Sequence, residues 1–241
     1  MVPTALPSPR ERILQAALAL LESGGVEAVS TRAVSAAAAV QPPTIYRQFG
    51  DMQGLLNAVA ITGFAAYLRT KTALAPLNDP VEELREGWKI HVGFGLAHPH
   101  LYTLMTATPR LSAESPAALE AAAMLRALIQ RVAEAGRLAV SVERAAIMVH
   151  AAALGLTLSL LGSQGAQEGT RTSDGWLPDQ MLEAVLNVVL TPEPRAGGEP
   201  GQRSQAAAHA VSLAALLPKL SPVSFSEAEQ VLLTEWLRRI M

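Results

Sequence analysis

Six side chains with hydrogen-bonding groups are concentrated in one short stretch of the chain. They are Thr31, Arg32, Thr44, Tyr46, Arg47 and Gln48. Hydroxyl and guanidinium groups bond phosphate oxygens, and a guanidinium also bonds guanine O6 and N7 as a bidentate pair. Pro42 and Pro43 lie among them, and their rings offer apolar surface to a thymine methyl group. This chemistry favours contact with duplex nucleic acid, although each side chain alone could be a solvated surface residue.

Two short helices must position these groups. Ser30 or Thr31 is an N-cap for a helix that runs through Ala38. Pro42-Pro43 opens the next helix, which we expect to end near Phe49. Ile45 and Phe49 face the opposite way from Thr44 and Tyr46, so we expect both to lie in the core.

A longer helix precedes this pair and another follows it. Ser8-Pro9-Arg10-Glu11 has a capping serine, a first-turn proline and a capping-box glutamate, which predict a helix start at Pro9. Ser23-Gly24-Gly25 predicts its end. Asp51 caps the following long helix, whose first amides can face a phosphate. With Ala39-Val40-Gln41 as the turn, the spacing is that of a helix-turn-helix, but any three-helix bundle could have it.

The residues themselves resemble one family. The stretches are Ser30-Thr31-Arg32-Ala33-Val34, the run Ala39 to Asp51 with Thr44-Ile45-Tyr46 and Phe49, and Leu55-Leu56. Together they resemble the N-terminal domain of tetracycline-repressor (TetR) family regulators. The resemblance implies that Tyr46 contacts the DNA backbone and Pro43 a thymine methyl group. It also implies that Arg32 reads guanine, as some members do, while Arg47 and Gln48 contact bases or phosphates.

Three positions depart from the family pattern. Glycine is usual where this chain has Ala39, so the turn lacks a residue that is indifferent to positive φ. Serine is frequent where Gln41 stands, which weakens the expected cap of the recognition helix. Lysine is common where Met52 stands, so one phosphate contact is removed.

Composition limits the classes of protein that this chain can belong to. It has 241 residues, of which 50% are hydrophobic and only 4% aromatic, and its abundant alanine suits close-packed helices, so we expect an all-α fold. The absence of cysteine excludes disulfides, thiolate zinc sites and a cysteine nucleophile. A formal net charge of -2 means that binding to a polyanion must come from a local patch.

The resemblance implies that the second part of the chain binds a small molecule and dimerises. Candidate contacts to an apolar effector are Trp88, His91, Phe94, Tyr102, Met105, Met124 and Leu128. Each of these could instead be an ordinary core residue. The apolar helix from Arg144 to Leu161 and the helix from Leu177 to Leu190 are our choice for a two-fold interface, because alanine and glycine permit close approach.

Four regions are predicted along the chain. Residues 1-51 form the helix-turn-helix DNA-binding domain and 52-191 the helical effector-binding and dimerisation domain. Residues 192-203 form a flexible linker, and 204-241 a C-terminal helical extension that packs on the second domain. No secretory signal is visible, and the apolar stretch 145-161 is too short to cross a bilayer, so we expect a cytoplasmic protein.

The leading hypothesis is a homodimeric, ligand-responsive transcriptional repressor that binds a palindromic double-stranded operator. We expect no metal, cofactor or catalytic residue, since no nucleophile, base and orienting residue stand at a recognisable spacing. Two alternatives are a DNA-binding regulator without a small-molecule effector and a helical enzyme that uses the apolar pocket.

Overall fold

The computed structural model describes residues 7–72, 77–107, 116–164, 176–191, 202–219 and 225–240. Within these ranges the chain forms eleven α-helices and no β-strand, which confirms the all-α fold class. The helices are α1 (Pro9–Ala28), α2 (Thr31–Ala38), α3 (Pro42–Phe49), α4 (Met52–Thr72), α5 (Pro80–Ala97), α6 (Pro99–Ala107), α7 (Pro116–Glu134), α8 (Val142–Gln164), α9 (Trp176–Val189), α10 (Gln202–Leu216) and α11 (Glu227–Ile240).

The helices pack into two compact units. The first contains residues 1–74 and 93–121, and the second contains residues 75–92 and 122–241. Helix α5 therefore contributes residues to both. These units are defined by packing alone, and the functional boundaries stated above stay predictions.

Helix α1 begins where the sequence predicts, but it bends where the sequence predicts its end. The Ser8 hydroxyl accepts a hydrogen bond from the Glu11 amide, and the Glu11 carboxylate accepts one from the Ser8 amide at 2.7 Å. These bonds to Ser8 hold the pKa of Glu11 below its ordinary value. At the other end, Gly24 and Gly25 leave helical geometry, Gly25 with φ of 69°. The helix then resumes for a turn to Ala28, so the glycines make a kink rather than the predicted end.

The turn between α2 and α3 contains an unusual alanine. Ser30 caps α2 by accepting a hydrogen bond from the Ala33 amide at 3.2 Å. Ala39 ends that helix in the left-handed region, with φ and ψ both 51°, and it is the one non-glycine residue with positive φ in the part of the chain that the structure describes. This conformation costs about 1–2 kcal/mol for a residue with a Cβ atom. Ala39 therefore adopts the backbone conformation that glycine usually has at this position, and the turn is strained as a result.

Helices α3 and α4 meet in a tight junction. Gln41 has the N-cap position of α3 but makes no side-chain capping bond, as expected. Asp51 accepts a hydrogen bond from the Gly54 amide at 2.6 Å and so caps α4. A Cβ atom on Gly54 would overlap the carbonyl oxygen of Phe49. Only glycine therefore lets α4 begin this close to the last turn of α3.

Helix α6 fills the space between α1 and α4. A Cβ atom on Gly63 would lie 2.7 Å from Leu101 Cδ1 and 3.0 Å from Met105 Sδ, so this glycine allows α6 to approach α4 closely. On the other side, the imidazole Nδ1 of His98 lies 3.0 Å from a carboxylate oxygen of Glu22. Both contacts attach the start of α6 to the helix-turn-helix region within the first unit.

The second unit has its own apolar core and several ion pairs. Its fully buried side chains include Val81, Ile129, Val132, Leu138, Leu186 and Val189. Arg131 binds Glu83 at 2.9 Å, and Arg137 binds Asp79 at 2.9 Å. A hydrogen bond from the Val81 amide holds the pKa of Asp79 below its ordinary value, and the Arg137 guanidinium lowers it further.

The C-terminal helices belong to this second unit. Gln130 donates to the Ala215 carbonyl at 2.9 Å, and Lys219 pairs with Glu134 at 2.6 Å. Helix α10 begins at Gln202, two residues before the predicted helix, so the end of the predicted linker is helical. Residues 192–201 of that linker lie outside the described residues.

Replacing Ala39 by glycine should stabilise the protein. We expect Ala39→Gly to raise the free energy of unfolding by about 0.5–1 kcal/mol, because relief of the left-handed strain exceeds the entropy that glycine adds to the unfolded chain. Urea denaturation measures the change. Ala37→Gly is the matched control, since Ala37 is exposed inside α2 and glycine there should lower stability by about 1 kcal/mol. If both variants are destabilised alike, the strain at Ala39 is not real.

Candidate DNA-binding surface

Helix α3 has a buried face and a polar, exposed face. Ile45 has no exposed surface, and α3 packs through this side against α1, α2 and α4. Tyr46 is 47% exposed and Arg47 is also exposed, whereas Thr44 and Gln48 are half-buried. The prediction that Ile45 belongs to the core is confirmed, whereas Phe49, predicted to be buried with it, is only half-buried. The helix therefore presents one stripe of hydrogen-bonding groups to its surroundings.

Two of the predicted phosphate contacts lie side by side. Thr31 Oγ1 and the Tyr46 hydroxyl are 3.2 Å apart, which brings the first turn of α2 to the middle of α3. Each hydroxyl keeps hydrogen-bonding capacity beyond this mutual bond. With this bond in place, only the hydroxyl that accepts in it has a free O–H to donate to a phosphate group, because each hydroxyl carries one donor hydrogen.

The two arginines of this surface are available to a ligand. Arg32 is exposed at the second position of α2, and Arg47 is exposed in the last turn of α3. Neither makes an ion pair with another residue in the ranges that the structure describes. Each guanidinium can therefore offer its donors to a base edge or a phosphate without breaking an ion pair in this surface.

The start of α3 is apolar and exposed. Pro42 and Pro43 occupy its first two positions and have no N–H to donate. The Thr44 amide bonds the Gln41 carbonyl at 2.9 Å, so this end of the helix offers little to a phosphate. Its proline rings instead suit contact with a methyl group.

Arg10 contributes to this site although no motif in the sequence indicates such a role. Its guanidinium lies 4.4 Å from the centroid of the Phe49 ring and donates to the Gln48 carbonyl at 2.8 Å. A cation at the last carbonyls of a helix is favourable, and the same group covers the half-buried ring. Arg10 therefore fixes the C-terminal end of α3 from a position far away in the sequence.

The expected effector contacts divide between the two units. Phe94, Tyr102 and Met105 belong to the first unit, where all three are buried. The Phe94 ring lies between Tyr67 and His98, with centroid distances of 5.2 Å and 4.9 Å. Burial raises the pKa of Tyr67, and it lowers the pKa of the neighbouring Lys71 to about 8.

The other four belong to the second unit. Trp88 is buried and its indole N–H donates to the Pro178 carbonyl at 3.2 Å. His91 meets His150 edge to face, with the ring centroids 6.3 Å apart. Met124 and Leu128 are half-buried on α7. Their role as effector contacts stays a prediction.

Helices α1 to α3, with a buried Ile45 and an outward stripe of donors, define an N-terminal helix-turn-helix domain that precedes a larger helical domain. The family model for bacterial regulatory proteins of the tetR family matches residues 13–59. The model for the tetracyclin repressor-like C-terminal domain matches residues 84–177. The chain belongs to the TetR family of transcriptional regulators.

Solved structures share this fold at low sequence identity. A tetR family transcription regulator from Shewanella sp. PV-4 is 18% identical, with a TM-score of 0.58 over 77% of this chain and 100% of that one. A TetR variant from Acinetobacter baumannii AYE in complex with minocycline is 19% identical, with a TM-score of 0.57 over 73% of this chain and 93% of its own. The multidrug binding protein EbrR, complexed with imidazole, is 23% identical, with a TM-score of 0.52 over 79% of this chain and 100% of its own. No curated protein matches the sequence significantly.

The anchor formed by Arg10 can be measured. Arg10→Ala removes the cation over Phe49 and the bond to the Gln48 carbonyl, so we expect the free energy of unfolding to fall by about 1 kcal/mol. Chemical denaturation reports this change. Arg126→Ala removes an exposed arginine on α7 and should change stability by less than about 0.5 kcal/mol. Equal effects of the two substitutions would show that Arg10 is an ordinary surface residue.

Proposed function

We propose that this protein is a homodimeric, ligand-responsive transcriptional repressor that binds a palindromic DNA operator in the cytoplasm. The observation that carries the proposal is the stripe of hydrogen-bonding groups on α3, beside the exposed Arg32 of α2. One copy of this surface fits one half-site, and a two-fold dimer places two copies on an inverted repeat.

The side chains of the surface divide into two roles. Arg32 reads a guanine, and the rings of Pro42 and Pro43 contact a thymine methyl group. Thr31, Thr44 and Tyr46 bond phosphates and fix the register without reading sequence. Arg47 and Gln48 contact bases or phosphates at the end of the helix.

Residues 1–60 carry four arginines and four acidic residues, so the salt dependence of binding is shallow for a DNA-binding protein.

The dimer forms through α8 and α9. These helices pack on each other and carry exposed apolar side chains, with Ile147 69%, Val188 54% and Trp176 54% exposed. Gly155 of α8 is exposed with open space where a Cβ atom would be, so a second helix can approach closely. Helix α8 is also long and apolar enough to span a membrane, with a mean hydropathy of 1.8 in an 18-residue window within Val142–Ser163. An interface between two copies of the protein would bury the same apolar face. This interpretation agrees with the dimerisation of TetR family regulators.

An effector bound in the helical domain releases the DNA. Minocycline and imidazole are bound by two structures that share this fold, which supports a small-molecule site here. Helix α4 transmits the change, because the contact of Gly54 with Phe49 leaves no space for α4 to move independently of α3. The effector shifts the equilibrium between two spacings of the recognition helices.

A regulator that binds DNA without any effector is the alternative. Thermal-shift measurement on the purified protein with apolar and cationic compounds separates the two, since a compound that binds only the folded state raises the melting temperature.

Base reading by Arg32 separates specific from nonspecific binding. The probe is the inverted repeat protected by the protein in the DNA flanking its own gene, compared with random duplex of equal length. We expect Arg32→Ala to lose about 1–3 kcal/mol of affinity for the repeat and much less for random DNA. Tyr46→Phe removes a phosphate contact and should weaken both duplexes equally. The proposal fails if footprinting at low salt protects no sequence, and an equal loss for Arg32→Ala on both duplexes removes its base-reading role.

The dimer interface is tested by placing a charge on α8. Ile147→Asp would bury a carboxylate between the two copies, so we expect light scattering at micromolar concentration to give a lower mass than that of the wild-type protein. Leu119→Asp is the matched control, because Leu119 is 56% exposed on α7, a helix outside the proposed interface, and the dimer should persist. A wild-type protein that is already monomeric would disprove the interface.

A further inference from the structure

Helix α11 has an apolar stripe that its own unit leaves uncovered. The helix packs on α10 through the buried Leu237, with Gln230, Leu233 and Thr234 half-buried on the same side. Leu232, Trp236 and Ile240 are 46%, 53% and 53% exposed. Because they are spaced four residues apart, they form one continuous row beside the packed side. An exposed row of this kind on a folded protein marks an interaction surface.

The charges of α11 point to the occupant of this surface. Glu227 and Glu229 stand in the first turn, and Arg238 and Arg239 stand in the last. If two copies of α11 lie antiparallel, the acidic start of each faces the basic end of the other. Parallel copies would oppose acid with acid and base with base, which is unfavourable. The helix is therefore complementary to itself in one orientation only.

We propose that α11 pairs antiparallel with α11 of a second copy of this chain, at an interface separate from α8 and α9. One antiparallel alignment of the two helices pairs both the apolar side chains and the opposite charges. When Leu232 of one copy faces Trp236 of the other, Glu229 of the first copy faces Arg239 of the second. The two-fold axis then passes beside Thr234, and each contact occurs twice.

The existing contacts of these residues leave them able to pair. Arg239 Nε lies 3.6 Å from Glu235, and Arg238 lies 3.8 Å from the same carboxylate. Both pairs are long and solvent-exposed, so the free energy needed to rearrange them is small. Glu229 is held in place by the capping box with Ser226, whose hydroxyl and amide bonds hold its pKa below the ordinary value. Its carboxylate is therefore ionised and fixed in position for the second copy.

Cysteine cross-linking tests both the pairing and its register. The natural chain contains no cysteine, so each introduced thiol is the only one in its chain. Full-length chains with Leu232→Cys and with Trp236→Cys are co-expressed with tags of different length and oxidised mildly at micromolar concentration. We expect the mixed species, Leu232→Cys linked to Trp236→Cys, to form faster than either chain linked to its own kind. Val231→Cys is the control, because Val231 is 67% exposed on the opposite flank of the helix.

A charge reversal tests the electrostatic part of the pairing. In the cross-linking chains, Arg239→Glu turns two attractive contacts into two repulsive ones, so we expect the mixed species to form at least about fivefold more slowly at low salt. Arg238→Glu makes the same charge change on the flank of Val231 and should have less than about a twofold effect. Both substituted side chains are exposed, and circular dichroism confirms that the helix is retained.

The outcomes separate this proposal from the others. If the mixed species forms no faster than the Val231→Cys dimer, α11 does not pair with itself. If chains linked to their own kind form fastest, the helices lie parallel and the proposed register is wrong. Ile147→Asp leaves α11 unchanged, so repeating the cross-linking in that variant tests the pairing of α11 without the interface of α8 and α9. Light scattering of Ile147→Asp combined with Arg239→Glu tests α8 and α9 without the pairing of α11.

Discussion

The orientation of α3 relative to the rest of its unit is the constraint on which the DNA-binding surface depends. Ile45 inserts fully into the core, and this fixes which side of the helix faces outward. Arg10 holds the last turn through the Gln48 carbonyl and the Phe49 ring. Gly54 then brings α4 against the same end of the helix. Three contacts from three different elements leave α3 little freedom of its own, so the spacing of its donors is preset before DNA binds.

Local signals in the sequence predicted the elements of this domain accurately. Ser8 with Glu11, and Pro42 with Pro43, act through bonds and sterics confined to a few neighbouring residues, so helix starts could be located from the chain alone. At Gly24 and Gly25 the sequence predicted the end of the helix, whereas the structure has a kink. Glycine permits several backbone geometries, and the chain used this freedom for a kink, after which packing restored one more helical turn.

Features that depend on distant contacts could not be predicted in this way. Arg10 and Gln48 are 38 residues apart, and no pattern in either segment indicates that they meet. The predicted effector contacts are a second example, because apolar side chains at helical spacing predict burial but not which packed unit they are buried in. Phe94 and Trp88 lie on one helix yet belong to different packed units.

The bond between His98 and Glu22 has a consequence for how the protein can be divided. The start of α6 supplies part of the packing for α1, so a fragment ending after α4 would expose the groove that Leu101 and Met105 normally fill near Gly63. Such a fragment would lose apolar cover and the hydrogen-bond partner of Glu22 at once. The DNA-binding helices thus draw stability from residues nearly fifty positions downstream of their last turn, and shortened versions would need those residues retained to keep a native shape.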